Sequence, residues 1–444
     1  MTTARTATPS TARAINDRLA LDLLLERGPL TASDLRTLTG LSRPTVADLL
    51  ERLQRSGLVA QAGESAALRR GPNARLYGLV ADRAHLAGID IRATGVSLVV
   101  ADLTGRTLGT ATIAAPTGGE PDGPGRLPTG EAASGEATGA TDRPLRPLRA
   151  LGAVGVVGAG ATGPAGGEAG EGDLLVERTV AVLLATAAEA GARELHTVAV
   201  GAPGLVDPVS GALNNSGKLP EWHSKLLAAL RARPGTEVIL ENEVNLAGIA
   251  EHRMGAAQGR KDFALIWLSH GVGASVVLDG RLRRGASGGT GEIGFLPVPG
   301  TIGLPDATRC DGGFHSLVSS AAICELGARH GLHAEPDGPA PVAEAVVRLA
   351  VQAGADAFLE ELAGRIAIGA SAICVVLDPG CVVLGGEIGQ AGGPELAARV
   401  ERHLARLSPL ATEVRAGTAG GGAVLAGAVL TAGDAARREL FGGE

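Results

Sequence analysis

The chain has 444 residues, 45 % of them hydrophobic, and a formal net charge of −7. That length admits two or three domains with real cores, and with no stretch of ~18 apolar residues free of Gly, Pro and charge a membrane-spanning helix is excluded. The opening MTTARTATPSTAR lacks the apolar core of a signal peptide, so a cytoplasmic protein is expected, and four scattered cysteines suit buried thiols rather than a disulfide framework.

Charge is unevenly spread. Residues 1–80 hold 11 Arg, no Lys and 7 acidic residues, a balance of +4, which leaves −11 for the remainder. The basic end attracts phosphate and the acidic body does not. In chain order, Ile15, Leu19, Leu23 and Leu24 predict a first, supporting helix. Residues 31–59 then read as a helix, a glycine-containing turn and a second helix. Leu35, Leu38 and Leu41 bracket Gly40, and Val46, Leu49, Leu50 and Leu53 repeat at helical spacing. Ser42 stands where an N-cap belongs and Pro44 fits the first turn. This is the layout of a helix-turn-helix DNA reader, in which the N-terminal end of the second helix enters the major groove. Ser42, Arg43, Pro44 and Thr45 are therefore the expected contacts to double-stranded operator DNA. Beyond Val59, two polar stretches and the run Leu76 to Leu79 predict a β-hairpin wing with Arg69, Arg70 and Arg75 around its tip, suited to a minor groove. A small helical protein-docking module with solvated arginines is the alternative reading of the same residues.

Residues 116–172 are mostly Gly, Ala, Pro, Thr and Glu, with a short apolar interlude, and are expected to form a largely disordered insertion. Around it lie strand and helix signals in alternation: LAGIDIRATGVSLVVADLTGRTLG as a hairpin, Leu174 to Ala190 as a helix, HTVAVGAPGLVDPVSGAL as a buried strand entering a turn, and VILENEVNLAGIAEHRMG as a strand running into a helix. Further on come the glycine-punctuated hairpin ALIWLSHGVGASVVLDGRLRRGASGGTGEIGF, the strand CVVLGGEIG, and GTAGGGAVLAGAVL, a helix opened by glycines. Such alternation predicts an α/β fold with a mixed sheet.

Five ordered motifs, GIDI at 88–91, GAPGLVD at 201–207, ENEVNLAGIAE at 241–251, GVGASVVLDGRLRRGASGGTGEIG at 271–294 and LGGEIG at 384–389, resemble the ROK family of bacterial repressors and sugar kinases. The likeness is strongest to its regulators with an N-terminal winged helix, whose pattern Arg13 and Asn16 also fit. The resemblance implies a winged helix-turn-helix followed by two lobes of the actin-like, ribonuclease-H-like ATPase fold. The division expected is 11–80 for the winged helix, 84–241 for the first lobe, 242–426 for the second, and 427–444 for a C-terminal helix returning to the first lobe.

The resemblance also implies a sugar cleft between the lobes, and the family's positions are altered there. The phosphate loop of the kinases reads Asp-Gly-Gly-Thr-Lys, whereas Asp90 is followed here by Ile91-Arg92-Ala93-Thr94. The second phosphate segment is reduced to Ser269-His270-Gly271-Val272-Gly273. In place of the family's catalytic Asp stands Glu243, after Asn242. A carboxylate moved by about 1 Å can cost on the order of 100-fold in rate, so efficient phosphoryl transfer is not expected. Glu243 reads equally as a sugar contact or as an exposed or ion-paired residue at a helix start. Glu292 is retained, Phe295 replaces the family's His, and His315 falls near the second expected Glu. The zinc cluster keeps one cysteine, Cys310, beside Asp311 and His315, so no metal and no cofactor are expected.

Together these expectations describe a sequence-specific transcriptional regulator, expected to repress, acting as a homodimer or homotetramer. Its degenerate kinase body would use Asn242, Glu243, Glu292 and His315 to hold a sugar or related effector. Two rivals remain: a regulator that answers to no small molecule, and a working ATP-dependent sugar kinase with an added DNA module.

Overall fold

The computed structural model describes residues 9–64, 74–92, 94–115, 170–214, 221–301, 303–306, 312–335 and 340–442. Outside them lie residues 116–169 of the expected insertion, and also Arg69, Arg70, Cys310 and Asp311.

The first unit runs α1 (Pro9–Arg27), β1 (Leu30–Thr31), α2 (Ala32–Thr39), α3 (Arg43–Arg55), β2 (Val59–Glu64) and β3 (Arg75–Leu79). Strand β3 lies between β1 and β2, antiparallel to both, and completes a winged helix-turn-helix. Thr31 and Asp34 cap α2 reciprocally. The Thr31 hydroxyl accepts from the Asp34 amide at 3.1 Å and Asp34 Oδ2 accepts from the Thr31 amide at 3.0 Å. The turn needs Gly40, whose φ of 71° lies in the left-handed region. Leu35, Val46, Leu49, Leu50 and Leu53 are buried. The expected first helix is present, and of the run that marked it Leu24 turns inward with Ala20 and Leu21, while Ile15 and Leu19 are 60 % and 42 % exposed. Helix α1 packs on α2, α3 and β3 and also reaches the body, so tertiary neighbours and not local periodicity choose its buried stripe.

In the body, β4 (His85–Arg92), β5 (Gly95–Asp102) and β6 (Thr107–Ala114) form an antiparallel meander. Helix α4 (Glu171–Glu189) starts three residues before the expected Leu174 and leads to β7 (Thr197–Ala202), parallel to β4. The small pair β8 (Leu205–Val206) and β9 (Leu213–Asn214) and helix α5 (Glu221–Arg231) precede β10 (Glu237–Asn242), parallel to β7. Helix α6 (Glu243–Met254) follows without a break. The second sheet repeats the plan. Its meander is β11 (Phe263–Leu268), β12 (Val272–Leu278) and β13 (Arg281–Arg283). Helices α7 (His315–Val318), α8 (Ser320–Arg329), α9 (Val342–Ala353) and α10 (Asp356–Leu377) then lead to β14 (Cys381–Gly385), α11 (Gly386–Leu407) and β15 (Glu413–Ala416). The sheet orders β6-β5-β4-β7-β10 and β13-β12-β11-β14-β15 are one topology used twice, the two-lobed ribonuclease-H-like plan.

The last helix of each repeat crosses over. Helix α6 follows the first sheet yet packs on β12, and α12 (Ala423–Leu440) follows the second yet packs on β4 and β7. Where they meet, a Cβ added at Gly427 would lie 1.9 Å from the Leu246 carbonyl oxygen, so only glycine allows this backbone approach. Apolar residues of the winged helix, of α6 and of α12 merge into one buried cluster, while β4–β7 with α4 and α5 and the α8–α11 layer form two others. Among the described residues no helix is long and apolar enough to cross a membrane.

Candidate functional site

Two surfaces hold the residues singled out by sequence. On the winged helix, the Ser42 hydroxyl caps α3 by accepting from the Thr45 amide at 3.3 Å and shares a 2.8 Å hydrogen bond with the Thr45 hydroxyl. Ser42, Arg43 and Pro44 are exposed around that N-terminus and Thr45 is half-buried. Arg43 has no ion-pair partner among the described residues, so its guanidinium is free to meet a base or a phosphate. Arg75, on β3, is also exposed. Farther along α3, Arg52 is spent internally: it grips Asp17 of α1 at 2.6 and 3.2 Å and also pairs with Asp48. The arginine that docks the helix and the one it offers outward are thus different residues.

In the body, the strand ends converge between the lobes. Arg92, at the end of β4, donates through Nε to Asp90 Oδ2 at 2.8 Å and through Nη1 to Glu387 Oε1 at 2.5 Å. Glu387 belongs to the first turn of α11 in the other lobe, so one guanidinium ties the lobes together. The close approach there depends on Gly386, at φ 77°, where a Cβ would lie 2.2 Å from the Leu268 carbonyl oxygen. Asp90 Oδ1 and Glu387 Oε2 are buried without a hydrogen-bond donor.

Three carboxyls around one guanidinium set unusual protonation. Glu243, in the first turn of α6, is pushed up to about 8, first by burial and then by the charge of Asp90, with Arg92 opposing. Burial also lifts Asp90 above the usual carboxylate range despite its bond to Arg92. For Glu387 burial acts upward, but Arg92 and a hydrogen bond from Ser269 outweigh it and hold the group low. Burial depresses the nearby His270. At neutral pH the cluster therefore keeps Arg92 charged and Glu243 largely protonated.

Asn242 caps α6: its Oδ1 accepts from the amides of Val244 and Asn245 at 2.9 and 3.2 Å, and its Nδ2 donates to the Gly204 carbonyl at 3.0 Å. That bond ties the β10–α6 junction to the 201–207 turn. The 288–292 loop packs on the same turn, for a Cβ at Gly289 would lie 3.7 Å from Leu205 Cδ2 and 3.9 Å from Glu292 Cγ. Glu292 is exposed at this lip, and what burial its carboxyl has raises its pKa. His315 opens α7 directly beside the loop, 3.7 Å from where a Cβ on Gly294 would stand. Asn242 is thus tied to the turn on which the 288–292 loop packs, His315 stands beside Gly294 of the neighbouring segment, and Glu243 shares its surroundings with Asp90, Arg92 and Glu387. Phe314, next to His315, is fully buried and lies against Gly369 of α10. Among the described residues no cluster of three or more His, Cys, Asp or Glu is arranged to hold a metal ion.

Sequence reading singled out Asn242, Glu243, Glu292 and His315 but not the pairing of Arg92 with Glu387. Glu387 stands inside the quoted LGGEIG motif and Arg92 inside the altered loop, yet the two are 295 residues apart. Nothing local in either segment announces that they pair. Each registers only as a charged residue among apolar and glycine neighbours, a signal for burial with a partner.

The sequence matches the ROK family over residues 174–434 and the MarR family over residues 15–71. Over 131 residues it is 34 % identical to the Escherichia coli K12 protein named DNA-binding transcriptional dual regulator NagC, covering 29 % of this chain and 31 % of that one. The chain thus spans about a third of the length of the curated relatives it matches. Among solved structures, a ROK family transcriptional regulator described as a homolog of the Escherichia coli MLC protein aligns with a TM-score of 0.66 at 17 % identity, over 97 % of this chain and 100 % of that one. A ROK hexokinase from Thermus thermophilus aligns with a TM-score of 0.55 at 24 % identity, over 80 % of this chain and 99 % of that one. These structural likenesses concern the fold alone. With a match that spans more than half its length and takes in strands of both lobes, the chain belongs to the ROK family.

Proposed function

We propose that the protein is a sequence-specific DNA-binding transcriptional regulator, a repressor by default, whose two-lobed body binds a sugar-type effector without phosphorylating it. The observation that carries the DNA reading is the capped N-terminus of α3, which holds Ser42, Arg43 and Pro44 exposed with Arg43 unpaired among the described residues. Arg75 on β3 is assigned to DNA contact, as are Arg69 and Arg70, which lie outside the described residues. The regulatory role named for the Escherichia coli relative supports this reading. Exposed Ile15 and Leu19 on α1 support assembly into a homodimer or homotetramer, and a DNA-binding role is consistent with a cytoplasmic protein.

Loss of kinase chemistry is argued from Arg92. In the kinases that this family contains, glycines after the Asp of the phosphate loop let nucleotide phosphates approach the backbone. Here a guanidinium held by Asp90 and Glu387 occupies the end of that strand, and a mostly protonated Glu243 is a poor base for a sugar hydroxyl. Asn242, Glu243, Glu292 and His315 are assigned to effector contact. A ligand that closes the lobes would change operator affinity by the difference in its binding to the two states.

A second reading, a regulator without a small-molecule effector, is favoured by Phe295 and by the commitment of the Asn242 side chain within the chain, its Oδ1 to capping α6 and its Nδ2 to the Gly204 carbonyl. The deciding experiment is thermal unfolding against sugars, sugar phosphates and Mg-ATP, with operator DNA selected from a random library. A ligand at ~100 times its Kd adds about 2.7 kcal/mol. A sugar response with no ATP response and no phosphorylation in a coupled assay supports the effector-sensing regulator. No response to any sugar favours the second reading, and turnover of ATP with a sugar removes both.

A further inference from the structure

A cavity of about 570 Å³ opens where α1 of the winged helix meets the body, walled by α6, the β12–β13 hairpin and α12. Its volume is that of a small-metabolite site. Five arginines line it, Arg18, Arg253, Arg284, Arg437 and Arg438, against two carboxylates, Asp22 and Asp434. Arg18 pairs with Asp22 at 3.0 Å, whereas Asp434 alone serves both Arg253 at 3.1 Å and Arg437 at 2.7 Å. Arg284 turns away to Glu241 at 2.6 Å, and Arg438 has no ion-pair partner among the described residues. Counting Glu241, the wall keeps an excess of two positive charges in a chain whose net charge is −7. Leu25, Ile249 and Val277 add an apolar floor.

We propose that this junction is a binding site for a small phosphate monoester, distinct from the sugar cleft, and that its occupancy sets the pose of the recognition helix. A dianionic phosphate matches the charge excess, and guanidinium forks match its oxygens. The contacts leading from the cavity make the coupling concrete. Arg18 donates to the Arg437 carbonyl at 3.3 Å, and its guanidinium lies 5.4 Å from the centre of the Phe441 ring, so it already rests on α12. The next residue back along α1, Asp17, is the carboxylate that Arg52 of α3 grips. A phosphate held jointly by Arg18 and by Arg253 or Arg438 favours the arrangement with α1 against the body, and linkage carries that preference to the DNA-reading end. Helix α6 spans the distance between the two sites, with Asn242 and Glu243 at its start and Arg253 near its end.

The test is thermal unfolding of the full chain with glycerol 3-phosphate and with inorganic phosphate, against sodium chloride at matched ionic strength. The expected result is a saturable rise in Tm with the phosphates alone. In the Arg253→Ala/Arg438→Ala variant, which alters two exposed residues, the apparent affinity falls about tenfold or more. The cleft variant Glu243→Gln keeps the response, which separates this site from the proposed sugar site. A unliganded Tm near that of wild type certifies the double variant as folded. The proposal is overturned by no rise up to about 10 mM phosphate, by a rise that chloride reproduces, or by equal responses in wild type and the double variant. It also fails if the double variant instead loses affinity for a library-selected duplex in phosphate-free buffer, with the salt slope lowered by about two, because those arginines would then be contacts to the DNA backbone.

Discussion

Arg43 and Arg92 carry the same side chain into opposite circumstances. The first stands exposed on the capped end of α3 with no ion-pair partner among the described residues; the second is held between Asp90 and Glu387 inside the interlobe cleft. An unpaired surface guanidinium keeps its full hydrogen-bonding capacity for a partner outside the chain. A paired and half-buried one has spent it on the chain itself, and its value lies in tying together what it touches. At Arg43 the charge is left available to a partner outside the chain, and at Arg92 it joins the two lobes.

Four substitutions test the two roles. The largest effect is expected from Arg92→Ala, which strands two buried carboxylates: a loss of about 2–3 kcal/mol, below the ~3–5 of a fully buried pair because Arg92 is partly exposed, read by chemical unfolding with DNA affinity per folded molecule unchanged. Arg43→Ala should do the reverse, leaving stability within about 0.5 kcal/mol while weakening specific DNA binding by about 1–3 kcal/mol, measured by anisotropy at fixed salt. If Arg43→Ala destabilises the fold and spares DNA, the contrast between the two arginines is wrong. Glu243→Gln tests the protonation of the cleft. Because the folded-state pKa of Glu243 is raised to about 8, the native state holds a proton that the unfolded state gives up above its ordinary value near 4.5. Wild-type stability from this group therefore falls as pH rises from about 4.5 to 8, and the variant escapes that loss. A gain on the order of 1 kcal/mol is expected at pH 8, vanishing near pH 5; an equal gain at both pH values would rule out the raised pKa as its source. The smallest effect belongs to Arg75→Ala on the wing, with sequence preference unchanged and the salt slope of DNA binding lowered by about one.

Much of the fold was legible because its signals are local. The Ser42 cap, Gly40 in its turn and the spacing of Val46, Leu49, Leu50 and Leu53 are each written within a few residues, and each has its counterpart in the structure. The mixed α/β body was legible in the same way, from strand and helix alternation. What escaped was non-local. The inward face of α1 depends on helices and a strand it meets in space, so of the run that marked the helix Leu24 is buried while Ile15 and Leu19 are exposed. The Arg92–Glu387 bond joins segments 295 residues apart, and no periodicity reports it. Asn242 and Glu292 were read as candidate ligand groups from the family's motifs; that Asn242 commits Oδ1 to capping α6 and Nδ2 to the Gly204 carbonyl emerges only when the chain is folded.

The exchange of α6 and α12 between the lobes has a consequence for how the protein is made. Sheet β4–β7 leaves the ribosome early, yet the helix that covers it is α12, the last element of the chain, and Arg437 donates to the Leu103 carbonyl across 334 residues. Contacts of such separation form slowly, and a growing chain exposes the apolar face they will cover. The lobe synthesised first is therefore the lobe completed last, and a chain that stops short of Ala423 leaves β4 and β7 without their cover and the winged helix without part of the core it shares with α12.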